Sequence, residues 1–191
     1  MPAKVDPKTD DTYRARSGAF RILEIHARRY LSIDGHGDPN TAPYREAIAK
    51  IYSVAYPLKF ASKKAGQDYV VPPLEALWSA PDWRAFTSDR DKSQWDWTLL
   101  NLVPDDVVVE PVTVEGVRLV TLDEGLCVQT LHLGPFDAEG PVLARMHDEF
   151  IPAEGLTMTG RHHEIYFSDA RKVDPAKFRT ILRQPVQKGT S

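Results

Sequence analysis

Residues 126–168 read LCVQTLHLGPFDAEGPVLARMHDEFIPAEGLTMTGRHHEIYFS. The first eight are mostly apolar with a β-branched member, which predicts a strand over 126–133. Gly134-Pro135-Phe136-Asp137 makes a turn, with Asp137 a candidate helix N-cap. Val142, Leu143, Met146 and Phe150 then recur at helical spacing, and Pro152 with Gly155 closes that helix. Residues 162–168 alternate and predict another strand. Residues 177–184, KFRTILRQ, predict the last one, stopped by Pro185. The order is β-α-β-β.

The first half of the chain has the same order. Residues 20–34 predict a strand, and GHGDPNTAP (35–43) a turn with Asn40 or Thr41 as N-cap and Pro43 in the first helical turn. Tyr44, Ile48, Ile51, Ala55 and Leu58 form one apolar helical stripe, ending near Lys59 with Gly66 as the exit. Residues 69–78, YVVPPLEALW, predict a strand whose proline pair demands an edge or a bulge. Residues 94–103, QWDWTLLNLV, predict one more, closed by Pro104. The repeated order predicts an α+β fold of two duplicated β-α-β-β units with pseudo-twofold symmetry. Its antiparallel sheet would carry helices on one face and a ligand groove on the other. The expected division is an N-terminal arm over 1–18, anchored by Tyr13, and one domain over 19–186. That domain has repeats at about 19–106 and 120–186, and a tail follows over 187–191.

Composition narrows the function. The 191 residues are 42% hydrophobic and 27% charged, as in ordinary globular domains. No apolar run approaches the roughly 18 residues of a membrane span, and the first residues lack a signal-peptide core. A net charge of -3 gives no basic excess for nucleic acid. A lone cysteine, Cys127, excludes an internal disulfide and fits a reducing compartment, so a cytoplasmic location is expected. No Gly-rich phosphate loop, GxSxG, HExxH or CxxC occurs, so no cofactor and no metal site are expected. The adjacent His162 and His163 point to opposite faces of a strand and do not bind one ion together.

The candidate site follows from alternation in the strand over 162–168. His162, Glu164, Tyr166 and Ser168 share one face, and His163, Ile165 and Phe167 the other. The second set suits a helix-packed core, the first a groove. Glu164 in an aromatic groove is a candidate general base, with burial expected to raise its pKa; otherwise it is a stray charge on a solvated sheet face. Glu75 holds the matching position of the first half. The pseudo-twofold is expected to bring it near Glu164 as a catalytic partner, against the alternative of a surface salt bridge. All four tryptophans, Trp78, Trp83, Trp95 and Trp97, lie between 78 and 97, and six of the seven tyrosines lie in the first half. That bias favours an aromatic-lined pocket over a core spread through both halves. Trp78, Trp95, Trp97, Tyr52, Tyr69, His132, His162 and Tyr166 are the expected ligand contacts, with Tyr56 or Tyr52 as proton donor.

YLSIDGHGDPN, WTLLNLVPDDV and HHEIYFSDARKVDPAKFRTILRQPV, which occur along the chain in the family's order at the expected separations, resemble the GyrI-like small-molecule-binding proteins, most closely their stand-alone bacterial members. The resemblance runs from about Tyr13 to Val186. It implies a duplicated β-α-β-β fold with a ligand groove at the pseudo-twofold interface. It also implies binding of drug-like molecules and, in some members, hydrolysis of cyclopropanoid DNA-alkylating toxins. The glutamate of the family's HHEIYxSD strand is Glu164 here. Glu75 and Trp78 match the family strand LEGLWW, while Ala76 and Ser79 depart from it, and Ser79 removes an aromatic wall.

The sequence is compatible with three functions. One is hydrolysis of a planar electrophilic toxin by Glu164 with Glu75 assisting. Another is sequestration or sensing of hydrophobic cations without chemistry. The last is a gyrase-inhibitor-like interaction module. The expected partner is a planar aromatic or cationic small molecule, with no nucleic acid or membrane, and the chain is expected to be a monomer or homodimer.

Overall fold

The structure, a computed structural model, describes residues 4–86 and 91–189, except the side chains of residues 83 and 84. The Trp83 indole, the first three residues of the arm and the last two of the tail lie outside the described residues. The arm forms two short 3-10 turns, Pro7–Thr9 and Asp11–Tyr13. Then follow β1 (Arg21–Ile25), β2 (Arg28–His36), α1 (Ala42–Lys64), β3 (Leu74–Ser79) and β4 (Asp96–Val103). The second half holds β5 (Arg118–Leu122), β6 (Gly125–Leu133) and a helix in three pieces. These are α2 (Gly140–Ala144), a π turn (Arg145–Phe150) and α3 (Ile151–Ala153). The chain ends with β7 (Leu156–Met158), β8 (His162–Tyr166) and β9 (Arg179–Lys188).

The strands form one antiparallel sheet in the order β1-β6-β9-β8-β3-β4-β2-β5, with β7 beside β9. This order is symmetric about the β8–β3 pair, with β6-β9-β8 from one repeat and β3-β4-β2 from the other. The α+β fold and the duplication expected from sequence are both present. The outer strands β1 and β5 were not separately predicted, and they cross over: β1 joins β6 and β5 joins β2. Register runs unshifted through this crossing, with Arg21 opposite Gln129, Ile25 opposite Gly125, Arg28 opposite Leu122 and Ser32 opposite Arg118. Only two residues separate β1 from β2. Three Cα–Cα steps span at most ~11 Å. The two ends of the sheet must therefore curl toward each other.

The curl gives the two faces different interiors. On one face Tyr30, Leu77, Leu100, Leu102, Leu131, Ile165 and Ile181 form a single cluster drawn from both repeats. Tyr13 of the arm completes this concave core, as the anchor role required. On the convex face the core splits in two. Ile51 and Ala55 of α1 pack on Leu31, Ile33, Ala76 and Leu99, while Leu143, Met146 and Ile151 pack on Val128 and Leu182.

Two predicted element ends move. The first helix passes Lys59 to Lys64; Lys59 is buried and paired with Asp68 at 2.9 Å, so it is not a fraying end. Strand β9 passes Pro185, because only the proline's N–H is missing and its carbonyl still accepts from the Thr159 N–H at 2.8 Å. No helix among the described residues is long and apolar enough to cross a membrane.

Candidate functional site

The central pair β3–β8 places Ala76 opposite Glu164, Trp78 opposite His162 and Leu74 opposite Tyr166. Opposed residues share a face. This face carries α1: the Tyr44 ring stacks 5.9 Å from Trp78 and stands edge-on to Trp97 at 5.0 Å. The polar side of β8 therefore lies on the helix face, and the concave face filled by Tyr13 is not the groove. Sequence alternation separated the two sets correctly but assigned the helices to the wrong one. Glu164 sits where the two convex cores meet, its side chain 12% exposed.

Hydrogen bonds converge on that carboxylate. The Tyr166 hydroxyl donates to Oε2 at 2.6 Å. Tyr166 in turn accepts from Trp78 Nε1–H at 3.0 Å and is hydrogen-bonded to Tyr44. Since Tyr166 spends its single proton on Glu164, Tyr44 is the donor in that last bond. His162 Nε2 lies 3.3 Å from Oε1. Glu139, just before α2, also hydrogen-bonds Glu164, which requires a proton between the two carboxyls. Burial alone would raise the Glu164 pKa, but the hydrogen bond and charge of His162, with the bonds from Tyr166 and Glu139, outweigh it. The carboxyl lies below the ordinary glutamate range. The expectation of a raised value fails because it counted burial and not the donors.

The aromatic walls come from both repeats. Trp95 stands edge-on to Trp78 at 5.5 Å, stacks on Phe86 at 5.0 Å and donates its Nε1–H to the Ala85 carbonyl at 2.8 Å. Phe136 meets Tyr166 edge-on at 5.5 Å and packs on Phe178 at 5.0 Å. His132 holds the turn that carries Phe136, through Nε2 and the Pro135 carbonyl at 3.0 Å.

Other expected residues lie apart. Tyr52 and Tyr56 pack together at 5.8 Å, and Tyr56 is 49% exposed. They are eight and twelve residues past Tyr44, which is ~12 and ~18 Å along a helix. Tyr44, assigned only to the apolar stripe, is the α1 tyrosine that reaches Glu164's network. Tyr69 is a core residue near the end of α1, bridged through its backbone to Val5 of the arm.

Glu75 does not meet Glu164. It stands opposite Ile165 and points into the concave core, completely buried. There it accepts from the Tyr13 hydroxyl at 2.5 Å and bonds His163 Nε2 at 2.8 Å. His163 Nδ1 meets Glu124 at 2.9 Å, and Glu124 meets Arg183 at 3.1 Å. Burial opposes the charge on His163, yet Glu124 and Glu75 raise its pKa to about 9. Burial works against Glu124 as well, but His163 and Arg183 lower it to about 2. Arg183 also donates to the Thr12 carbonyl at 2.8 Å, clasping the arm. Glu75 is thus neither a surface ion pair nor a partner of Glu164. Glu124 was missed because a charge in a two-residue junction reads as solvated.

The GyrI-like small molecule binding domain family model matches residues 18–187. The chain belongs to this family. An uncharacterized conserved protein from Listeria innocua is 34% identical, with a TM-score of 0.84 over 96% of this chain and 100% of that one. A hydrolase from the same organism is also 34% identical, with a TM-score of 0.82 over 97% and 100% of the two chains. The C-terminal domain of EcmrR shares this chain's fold at 17% identity, with a TM-score of 0.61 over 89% and 98%. No curated protein matches the chain.

Proposed function

We propose that this GyrI-like domain binds planar, hydrophobic or cationic toxins at Glu164 and hydrolyses cyclopropanoid DNA-alkylating agents with that glutamate as general base. The observation that carries the reading is a half-buried carboxylate held ionised in a shell of aromatic rings. A carboxylate has about four acceptor positions. Tyr166, His162 and Glu139 take three, which leaves one for a water molecule or a cation. The relatives named as hydrolases at 34% identity support a chemical step.

In that step a water bound to Glu164 attacks the cyclopropane CH2. Its proton passes to the carboxylate, and the ring C–C bond breaks toward the conjugated dienone. The dienone oxygen becomes a phenolate and takes the proton back, so the sum is addition of one water. Trp78 and Tyr44 would stack on the planar ligand and exclude competing solvent. The test is incubation of the protein with a cyclopropanoid dienone and mass spectrometry of the products. A water adduct in wild type and none above buffer with Glu164→Gln is expected. An equal yield from both, or no adduct from either, overturns the hydrolytic reading.

Binding without chemistry is the second reading, favoured by donors on both oxygens of Glu164, which suit a fixed counter-ion. It predicts saturable quenching of tryptophan fluorescence by a planar cationic dye that is recovered unchanged, with no hydrolysis of any dienone.

A further inference from the structure

A pair of histidines stands behind Glu164, and no step above uses them. His162 and His147 are both buried, with ring centroids 6.1 Å apart and planes at 84°. His147 belongs to the π turn Arg145–Phe150, which interrupts the second helix. The wider π winding shifts the side chains that follow relative to an unbroken α-helix, and such turns are frequent at functional sites. Tyr166 orients Oε2 of the carboxylate, and His162 reaches Oε1.

We infer that His162 is a positioning residue that donates Nε2–H to Glu164 and keeps it an anion, and that His147 fixes the His162 ring from the π turn. This deepens the assignment of Glu164 as the binding carboxylate and rests on it. The arrangement parallels bases whose ring is oriented by a third group. Here the carboxylate is the working group, and the histidine holds it. The titratable groups around the pair, among the described residues, are Glu139 before α2, Tyr44 on α1, Tyr166 beside Glu164, and His147. Burial and the neighbouring His162 push the His147 pKa down to about 3. That ring is therefore neutral near pH 7. A tyrosine or carboxyl proton holds Glu164 only through hydrogen bonds, whereas His162, 3.3 Å from the carboxylate, is a side chain able to carry a positive charge.

The experiment needs no ligand. Protein carrying 13C at glutamate Cδ and 15N in the histidine rings is titrated by NMR, with Glu164 assigned by the resonance lost in Glu164→Gln. His162 in wild type should carry its proton at Nε2 whenever neutral, and Glu164 should titrate below an ordinary glutamate. In His162→Phe the Glu164 midpoint should rise by about one pH unit or more. His162→Gln keeps a donor and should show a smaller rise, and it guards against a Phe variant that does not fold. His147→Leu should leave His162 a mixture of tautomers. An Nδ1–H tautomer in wild type, or a Glu164 midpoint unmoved in both His162 variants, overturns the inference. Wild-type dye binding in the same samples tests the function separately: normal titrations with no binding would sink the proposed function and leave the histidine assignment standing.

Discussion

Glu75 and Glu164 stand on the paired central strands β3 and β8, one register position apart, and their side chains leave the sheet on opposite faces. The first lies in a closed ionic network under the arm, and the second lies among the rings between the two helices. The two carboxylates therefore respond differently to substitution.

Glu164→Gln should abolish cation binding and leave the fold intact. Glutamine matches the shape and keeps one acceptor oxygen, but it loses the charge that offsets a desolvated cation. Removing one partner of a buried charged pair typically costs about 2–5 kcal/mol of binding, a loss of 30-fold or more. Tryptophan quenching by a planar cationic dye measures it. Dye affinity within threefold of wild type would show that charge attraction is not the basis of binding.

Glu75→Ala should do the reverse. It strands the Tyr13 hydroxyl and the His163 imidazolium in the concave core. Breaking a buried ion pair this way costs about 3–5 kcal/mol. Urea unfolding should report that loss, while dye affinity of the folded fraction stays unchanged. A variant as stable as wild type would mean the network does not hold the arm.

Stability should peak near pH 6.5. Glu124 titrates at about 2 when folded, so its contribution is present above the ordinary carboxylate value and fades as pH falls through that window. His147, at about 3, has the same sign: the unfolded chain takes up a proton below about 6.5 that the folded chain refuses. His163, at about 9, has the opposite sign. Its contribution is complete below about 6.5 and is lost as pH rises through 9, on the order of 3 kcal/mol. Melting temperature measured from pH 2 to 10 checks all three. A flat curve from 6.5 to 9, or an alkaline fall that survives in His163→Gln, would contradict the assignment.

Gly35→Ala should disturb the aromatic packing around Tyr44 from beneath. Gly35 lies opposite Trp97, and a Cβ there would fall inside the Trp97 ring. Trp97 is buried against Tyr44, so displacing it disturbs the wall over Glu164. Overpacking of this kind costs about 1–3 kcal/mol. Near-ultraviolet circular dichroism and dye affinity should both change. An unchanged aromatic spectrum would show that the ring has room to move.

Much of this protein is local in its sequence. Alternation in HHEIYFS separated Glu164 from His163, the apolar stripe through Ile51 and Ala55 defined the face of α1, and the repeated β-α-β-β order announced the duplication. These are properties of neighbouring residues, set by periods of 2 and 3.6. Which face of the sheet the helices cover is not such a property. It depends on the curl imposed where β1 and β5 exchange partners, and on Tyr13 filling the concave side. The same long-range packing parted Glu75 from Glu164, buried Glu124 against His163 and Arg183, and brought Tyr44 rather than Tyr56 to the site. The sign of the Glu164 shift was decided there too. Burial is legible in a pattern, but donors supplied from β8 and the segment before α2 exist only once the chain has closed around them.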